Sequence, residues 1–513
     1  MNELTRPSTR WWALGVLCLS LVVITVDTTI LNVALPSLVS ELHATASQLE
    51  WIVDAYVVVF AGMLLTAGAL GDRFGRRGAL SIGLVVFAAA CVGSALSTTA
   101  GMLIGFRAAT GLGAALIFPA TLSILTNLFP DPTERQRAIA VWAGTAGVGI
   151  AVGPVAGGLL LRHFAWGSIF WVNLPVCLIA LVAGRILLPP SKDAGRTPLD
   201  PPGAVLSVVG LSSLIYAVIE GPGKGWSSDP VVGAFLLAAV ALGSFIVVEL
   251  RRSHPMLDLR LFRNPRFSAA SLAVTALYFC LFGTIFFQTQ FLQSVLGYDP
   301  LGAGLRSVPF AVVLLVVANT TPRLVGRLGT RTVITVGLGI VALSMALRGG
   351  FTVHSNYNDV LLTQCLFAFG MGLTIAPATA SIMGAVPPDR AGVGSAVNDT
   401  TRQVGGALGV AVMGTIGSSL YHHAISGAGS AVPAAAHDSV GAAVAAAQRL
   451  PLAERAATLA AAHRAFIHGE NIASLIAVAV ALAGAAVALR FLPRMHPKAV
   501  PAPAAEPALE VAA

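Results

Sequence analysis

The chain has 513 residues, of which 56% are hydrophobic and 11% are charged, and its formal net charge is +8. Because soluble domains carry about 25% charged residues, this composition excludes a soluble protein and indicates an integral membrane protein. The basic excess could also indicate nucleic-acid binding, but the membrane topology described below is sufficient to explain it.

Apolar runs that end at charged residues or at Pro and Gly predict fourteen membrane-spanning helices. A helix needs about 20 residues to cross the apolar core of a bilayer. The predicted limits are 11–38, 49–70, 79–98, 101–128, 138–161, 167–188, 203–219, 231–250, 267–291, 304–322, 331–350, 359–385, 399–421 and 471–491. The sequence therefore predicts an all-α polytopic membrane protein.

The distribution of Lys and Arg predicts that both termini lie in the cytoplasm, since cytoplasmic loops carry the excess of basic residues. In that orientation most of the 31 basic residues lie inside. The basic residues predicted to lie outside are Arg162, Lys224, Arg306, Arg348, Arg449, Arg455 and Arg464, and two more, Arg107 and Arg402, fall within spans. Membrane insertion thus accounts for the positive charge, and no nucleic-acid partner is expected.

The first span contains a single ionisable side chain, Asp27, within VVITVDTTILNVALP. A carboxylate near the centre of a spanning helix costs about 2.5–3.5 kcal/mol on insertion scales, so Asp27 needs a compensating partner. At about 100° per residue, Asp27 and Asn32 point about 140° apart. They therefore serve different sites, and we expect Asp27 to be either a proton-exchanging group or a structural link to an arginine.

The second span carries Asp54 about one turn inside its outer end and is followed by GALGDRFGRR. Charge-assisted hydrogen bonds between the acid and the arginines, with glycines permitting a tight turn, predict a polar network at the cytoplasmic rim. The alternative is an ordinary basic loop that only sets topology. The residues of this predicted gate are Gly71, Asp72, Arg73, Gly75, Arg76 and Arg77.

The fourth span contains an arginine, Arg107, in LIGFRAATGLGAA. It requires a carboxylate or carbonyl partner inside the membrane, unless its side chain reaches the outer interface. The fifth span carries GTAGVGIAVGPVAGG, whose glycines and kinking proline predict a smooth face for close helix contact. The residues of that face are Gly149, Gly153, Pro154, Gly157 and Gly158.

An internal repeat divides the chain. PATLSILTNLFPD (119–131) and PATASIMGAVPPD (377–389) agree at seven of thirteen positions at an offset of 258, and GDRFGRR is matched more weakly by GRLGTR (326–331). Two six-helix halves around a central site form an alternating-access architecture. The predicted domains are an N-terminal half at 11–188, a linker with two inserted helices at 189–266, a C-terminal half at 267–491, and a disordered cytoplasmic tail at 492–513.

The C-terminal half contains one further polar motif, NDTTRQVGGALG, predicted to start the thirteenth span at the cytoplasmic side. Its Asp399 and Arg402 are three residues apart and can pair on one helix face. Between spans 13 and 14, the Ala-rich segment 424–469 is predicted to lie outside as short surface helices. We assign it no function.

Soluble-enzyme chemistry is not expected from this sequence. It contains no G-x-G-x-x-G or phosphate-binding loop, its ten histidines do not complete a metal set, and its five cysteines lie far apart in apolar runs. We therefore expect neither a cofactor nor a metal, and a process driven by the proton gradient.

Several of these stretches together resemble a known family. VDTTILNVALP, GALGDRFGRR, LIGFRAATGLGAA and GTAGVGIAVGPVAGG occur in the order of the signatures of the major facilitator superfamily, in its fourteen-helix drug:proton antiporter branch. NDTTRQVGGALG is similar to the thirteenth helix of that branch. The resemblance covers about residues 11–491. It implies the major facilitator fold, with two six-helix halves and two inserted central helices.

The resemblance also implies functions for the residues singled out above. Asp27 and Arg107 would couple transport to protons, the loop after span 2 would latch the outward-facing state, and the glycine pattern is one found in exporters. The substrate-binding residues it suggests are Asn32, Asp54, Asp399 and Arg402. The implied activity is proton-driven export of lipophilic drugs or antibiotics, cations included, by a monomer in the cytoplasmic membrane.

Two alternatives of function remain open at this point. The same fold could export one endogenous metabolite, siderophore or lipid, because the cavity lining is generic. A receptor or assembly factor that does not transport is a more distant alternative, since it would not need Asp27, Arg107 and the glycine face. A membrane enzyme is the poorest fit, because no nucleophile–base pair lies at one depth.

Overall fold

The computed structural model describes residues 7–42, 46–189, 200–252, 255, 257, 259–387, 391–427, 433–437 and 439–493, and their regular structure is helical throughout. The N-terminal half comprises α1 (Pro7–Leu42), α2 (Ala46–Phe74), α3 (Arg76–Ala95), α4 (Ala100–Leu128), α5 (Pro132–His163), α6 (Ser168–Trp171) and α7 (Asn173–Leu187). The inserted helices are α8 (Pro201–Lys224) and α9 (Asp229–Arg251). The C-terminal half comprises α10 (Pro265–Gln290), α11 (Pro300–Leu305), α12 (Val308–Leu328), α13 (Thr330–Arg348), α14 (Tyr357–Met383), α15 (Ala391–Ser426), α16 (Val440–Ala447) and α17 (Leu452–Phe491).

Each of the fourteen predicted spans coincides with a helix of the described chain. Thirteen helices in the described ranges are long and apolar enough to cross a membrane. The fifth predicted span is the 32-residue helix α5, four of whose side chains (146, 150, 151 and 154) lie outside the described residues. The chain is therefore a multi-pass membrane protein, and the predicted fold class is confirmed.

Local sequence signals set the helix ends. Thr99 accepts a hydrogen bond from the Met102 amide at the start of α4, and Asp131 accepts one from the Glu134 amide at the start of α5, as N-cap residues do. Gly75 separates α2 from α3 with a φ of 112°, and Gly329 separates α12 from α13 with a φ of 81°. Both turns need a residue without a Cβ, and they occur at matching positions of the sequence repeat.

The two halves use the same helix packing. In the N-terminal half α1 packs against α5, α2 and α3 pack against α4, and α7 packs against α1 and α3. In the C-terminal half α10 packs against α15, α12 and α13 pack against α14, and α17 packs against α10 and α13. The halves meet where α5 contacts α12 and where α15 contacts α2. These two contacts are equivalent under the repeat, because in each the fifth spanning helix of one half packs against the second spanning helix of the other. The exact domain limits remain a prediction.

The inserted helices lie at the side of the bundle. α8 packs against α2 and α15, one helix from each half, whereas α9 packs mainly against α8. The α2–α8 contact is close, because a Cβ at Gly62 would overlap the Ser212 hydroxyl.

Two predicted boundaries were wrong. α15 begins at Ala391 rather than 399, and α17 begins at Leu452 rather than 471. Residues 452–469 of segment 424–469 therefore form the start of a 40-residue helix, not a set of short surface helices. α16 and the turn Ala434–His437 are the short helical pieces of this segment. The predicted tail, 492–513, lies almost wholly outside the described residues.

Candidate functional site

Asp27 and Arg107 form an ion pair inside the N-terminal half. The Arg107 Nη1 atom donates to Asp27 Oδ2 at 2.6 Å, and the exposed fractions of the two side chains are 1% and 0%. The Arg107 Nε atom donates to the backbone carbonyl of Ile52 at 3.1 Å. The arginine therefore lies within the bundle rather than at the outer interface. The structure brings together the two residues predicted to couple transport to protons.

Asn173 completes this cluster and was missed by the sequence analysis. Its amide, in the first residue of α7, donates to Asp27 Oδ1 at 3.0 Å and contacts the Cys91 thiol at 3.6 Å. The Tyr56 ring lies 4.7 Å from the Arg107 guanidinium carbon. In the sequence, Asn173 is an amide side chain at the start of an apolar run. Such an amide is a weaker sign of a functional site than a charged side chain inside the run.

The opposite face of α1 carries the contact with the glycines of α5. A Cβ at Gly149 would overlap the Thr25 hydroxyl, and a Cβ at Gly153 would overlap that of Thr29. The Thr29 hydroxyl lies 3.4 Å from the Gly149 carbonyl. The predicted close helix contact is therefore present between α1 and α5.

The other glycines of the motif extend this contact. A Cβ at Gly157 would lie 2.9 Å from the Ile30 side chain, and one at Gly158 would lie 2.9 Å from Leu301, in α11 of the other half. The side chains of two predicted site residues, Asn32 and Pro154, lie outside the described residues.

The predicted gate forms a connection between the halves. Asp72 accepts hydrogen bonds from the backbone amides of Gly392 at 2.9 Å and Val393 at 3.1 Å, at the start of α15. It also pairs with Arg76, whose Nη2 atom lies 2.7 Å away. A carboxylate at a helix N-terminus meets unpaired amides and the positive end of the helix dipole. One half thus caps a helix of the other.

The remaining gate residues surround this cap. Arg77 donates to the Leu188 carbonyl at 3.0 Å, at the end of α7, and the Arg73 guanidinium lies over the Phe74 ring at 5.4 Å. Gly71 is buried in α2 and Gly75 makes the turn described above.

Asp399 and Arg402 form a second polar cluster, near the predicted cytoplasmic side. They are 3.8 Å apart and both buried. Because α15 begins at Ala391, Asp399 lies two turns inside the helix, and the prediction that this span starts at 399 is wrong. The Arg402 guanidinium lies 5.2 Å from the Trp142 ring of α5 and 5.4 Å from the Tyr278 ring of α10.

This second cluster therefore lies between the halves, since α5 and α10 belong to different ones. Arg402 also donates to the Thr379 hydroxyl of α14 at 3.0 Å. The sequence analysis did not identify Trp142 or Tyr278 as neighbours of this motif. Asp54, the remaining predicted site residue, is half-buried in α2, two residues after the carbonyl that accepts from Arg107.

A fourth buried ion pair, beside those of Asp27, Asp72 and Asp399, was not predicted at all. The Arg348 Nε atom donates to Glu470 Oε1 at 2.7 Å, and the exposed fractions of the side chains are 1% and 0%. The sequence predicts that Arg348 lies outside, and Glu470 falls one residue before the predicted fourteenth span. Both assignments follow from treating charges at the ends of apolar runs as solvent-exposed. The structure places both inside the C-terminal half.

The comparisons with known proteins agree with this architecture. Residues 17–410 match the family model described as Major Facilitator Superfamily. The chain is 36% identical over 487 residues to the multidrug efflux pump LfrA of Mycolicibacterium smegmatis, covering 94% of this chain and 96% of LfrA. It is 32% identical to the tetracenomycin C resistance and export protein of Streptomyces glaucescens, covering 93% and 91% of the two chains.

The fold is also similar to that of the proton:xylose symporter XylE. The TM-score is 0.61 at 16% sequence identity, and the match covers 95% of this chain and 96% of that one. This likeness concerns the fold alone.

Proposed function

This chain belongs to the Major Facilitator Superfamily, and we propose that it exports lipophilic drugs or antibiotics, cations included, in exchange for protons. The proposal places it in the cytoplasmic membrane as a monomer with both termini in the cytoplasm. No cofactor takes part, because the proton gradient supplies the energy. The relatives named as a multidrug efflux pump and as an export protein support the direction and the class of substrate.

The observation that carries proton coupling is the burial of Asp27. An ionisable side chain inside a membrane bundle is costly and marks a proton or substrate path. Here the carboxylate is held by Arg107 and Asn173, so both of its oxygens have donors when it is charged. Protonation would remove the charge that holds Arg107 and loosen the contacts of α1 with α4 and α7.

The position of Asp27 lets such a change reach the interface between the halves. One face of α1 carries Asp27, and the other packs against the glycines of α5. α5 in turn packs against α12, where a Cβ at Gly147 would lie 2.6 Å from a methyl carbon of Leu314. α1 therefore connects the proposed proton site to α5, and α5 contacts the other half through α12.

For the substrate we propose the cluster around Asp399 and Arg402. It lies between the halves, which is where alternating access places the substrate of such proteins. Trp142 and Tyr278 offer aromatic faces that suit a flat or cationic lipophilic molecule. A bound cation would pair with Asp399 and displace Arg402, whose Nε atom lacks a hydrogen-bond partner among the described residues.

The energy available from one proton is adequate. Inward movement of one proton yields about 2.3 kcal/mol per 100 mV, and about 1.4 kcal/mol per pH unit. For a neutral substrate both contributions act. For a monovalent cation exchanged for one proton, the electrical contribution cancels and the pH difference alone drives export.

The test is proton-driven efflux of ethidium, a monovalent lipophilic cation, from cells and proteoliposomes. We expect wild type to extrude the dye and an uncoupler to stop it. Asp27→Asn should bind ethidium but fail to extrude it against a gradient, because the amide cannot exchange a proton. The matched control is Asp229→Asn, the same substitution at an exposed residue of α9, which should transport like wild type.

Two other results would change the proposal. If Asp27→Asn transports normally, Asp27 is a structural link, and proton coupling belongs to another carboxylate. If wild type moves no dye under any gradient, multidrug export is wrong and the export of a single endogenous compound takes its place.

A further inference from the structure

We propose that Glu470 is a second proton-exchanging carboxylate, and that the transporter therefore moves two protons inward per cycle. This inference rests on the proton-driven export proposed above. It concerns the ion pair of Glu470 with Arg348, which that proposal leaves unused.

The hydrogen-bonding groups of Glu470 and Arg348 are only partly satisfied. Glu470 Oε1 accepts from Arg348, while Glu470 Oε2 and Arg348 Nη2 are both buried and lack hydrogen-bond partners among the described residues. Replacing a buried ion pair by apolar residues of similar volume is often neutral or stabilising. A contribution to stability therefore does not explain why this site holds an ion pair in which each partner lacks some of its hydrogen bonds.

The pair is linked through Gln288 and Gln364 to the helices that correspond to those of the Asp27 cluster, although Arg348 itself lies on α13, the counterpart of α3. α10, α14 and α17 occupy the places that α1, α4 and α7 occupy in the N-terminal half. Arg348 Nη1 donates to the side-chain oxygen of Gln288, in α10, at 3.4 Å, and the Gln288 side-chain amide donates to that of Gln364, in α14, at 3.1 Å. Glu470 of α17 thus takes the place of Asn173 as the polar contribution of the sixth helix.

The sequence repeat gives the same correspondence for the two glutamines, whereas Arg348 aligns with Ala90 of α3 and Glu470 with Ser212 of α8. At the offset of 258, Gln364 aligns with Phe106, next to Arg107, and Gln288 aligns with Ile30, one turn from Asp27. The two halves therefore each hold one buried carboxylate–arginine pair, which joins α1 to α4 in the N-terminal half and α13 to α17 in the C-terminal half. The acid comes from the first helix in one half and from the last in the other.

Polar groups lead from this pair toward the end of the bundle predicted to be extracellular. The Gln364 amide donates to the Arg306 carbonyl at 2.8 Å, and the Tyr357 hydroxyl donates to the same carbonyl at 3.1 Å. Tyr357 is the first residue of α14 and is half-buried. We place the route of the proton to Glu470 along these groups, beginning at Tyr357.

The surroundings of Glu470 contribute few other titratable groups. Among the described residues, Arg348 of α13 is the charged group in contact with Glu470, and α10 contributes Gln288 beside it. The Cys280 thiol of α10 donates to the Ala477 carbonyl, which lies two turns further along α17. α15 faces this stretch with the Gly417 backbone against Gly469. The other titratable residues of these helices are Glu454, Arg455, His463, Arg464, His468 and Arg490 of α17, Asp399, Arg402, Tyr421, His422 and His423 of α15, Arg266 and Tyr278 of α10, and Arg331 of α13.

The consequence is a change in the charge moved per cycle. With Asp27 alone, one proton enters for each monovalent cation that leaves, and no net charge crosses the membrane. With Glu470 as well, two protons enter for one cation, so one positive charge enters per cycle. Membrane potential then drives export of a monovalent cation, which supports a gradient of about 50-fold per 100 mV.

The experiment measures that charge on proteoliposomes with an imposed pH gradient, using ethidium as substrate and recording both dye efflux and capacitive current on a solid-supported membrane. Wild type should give efflux and an inward positive current. Glu470→Gln should keep pH-driven efflux while its current falls to the level of empty liposomes. The matched control, Glu454→Gln, alters an exposed residue of the same helix and should keep both signals.

The outcomes separate this inference from the proposed function. A current that persists in Glu470→Gln, or wild-type efflux without current, would overturn the role of Glu470 and leave proton-driven export intact. Absence of wild-type efflux under any gradient would overturn the proposed function itself.

If Glu470→Gln does not fold, the wild type provides the test. Dicyclohexylcarbodiimide adds to a protonated carboxyl group, and peptide mass spectrometry locates the adduct. Adduct at Glu470 that rises as pH falls supports proton exchange. No adduct at any pH, in samples where Asp27 is modified, would refute it.

Discussion

At the scale of single residues, Asn173 completes the polar surroundings of Asp27. It supplies the second hydrogen bond to the Asp27 carboxylate, from a helix that contains no other amide side chain. Hydrogen bonds to charged groups contribute about 1.5–3 kcal/mol, and more is lost when a buried charge is left short of a donor. The proposed proton site therefore depends on three helices rather than on the two that carry its charges.

We predict that Asn173→Ala lowers the free energy of unfolding by about 1.5–3 kcal/mol and reduces proton-driven efflux. Thermal unfolding of the purified protein and dye efflux measure the two effects. The control is Asn319→Ala, which removes an exposed amide bonded to a carbonyl of its own helix and should change stability by less than about 0.5 kcal/mol. Equal behaviour of the two variants would show that Asn173 does not support Asp27.

The residues that the sequence revealed were charges in the middle of apolar runs. Asp27 and Arg107 stand out because each is expensive in a membrane wherever its partner lies. Glu470 and Arg348 did not, because a charge at the end of an apolar run can equally face water. Only the packing of α13 against α17 decides between the two, and sequence periodicity does not report which helices pack together.

At the scale of helices, the contact between α1 and α5 depends on the absence of side chains. A Cβ at Gly149 or Gly153 would occupy the space of a threonine hydroxyl of α1. Such close approach of helices is what small residues permit in membranes. The glycine motif thus sets the distance between α1, which carries the proposed proton site, and α5, which contacts the other half.

We predict that Gly149→Ala destabilises the protein by about 1–3 kcal/mol, the usual effect of overpacking, and impairs efflux. The control is Gly15→Ala in α1, where an added Cβ would meet nothing within 4 Å. Parallel measurement of melting temperature and dye efflux decides the matter. An unchanged Gly149→Ala would mean that α1 and α5 separate without consequence.

Helix positions were predictable, whereas the ends of the two longest helices in the C-terminal half were not. The start of α17 is rich in alanine, the residue with the highest helix propensity, but its scattered charges end the apolar run that marks a span. The start of α15 contains glycine and serine together with Asn398 and Asp399, which resemble a helix cap. Here tertiary packing extends a helix beyond the limits that hydropathy indicates.

At the scale of the whole molecule, the halves touch at both ends in this structure. Asp72 caps α15 at one end, and Gly158 contacts Leu301 at the other. Alternating access requires that one of these contacts open while the other stays closed. Helix pairs within one half should keep their contacts throughout.

We predict that a disulfide between Gly158→Cys and Leu301→Cys abolishes efflux and that a reductant restores it. A Cβ at 158 would lie 3.4 Å from the Leu301 Cβ, near the spacing of about 3.8 Å in disulfides. The control is Gly484→Cys with Ala276→Cys, at 2.9 Å within the C-terminal half, which should still transport when oxidised. Efflux that survives the first cross-link would exclude opening at this end.

The pairing of Asp27 with Arg107 also bears on how the chain is made. The two residues are 80 positions apart, and a ribosome adds about 5–20 residues per second, so Asp27 is synthesised roughly 4–16 s before its partner. In the C-terminal half the order is reversed, because Arg348 precedes Glu470 by 122 positions. Each half therefore enters the membrane with one charge uncompensated, and during that interval the nascent chain depends on the insertion machinery to shelter it.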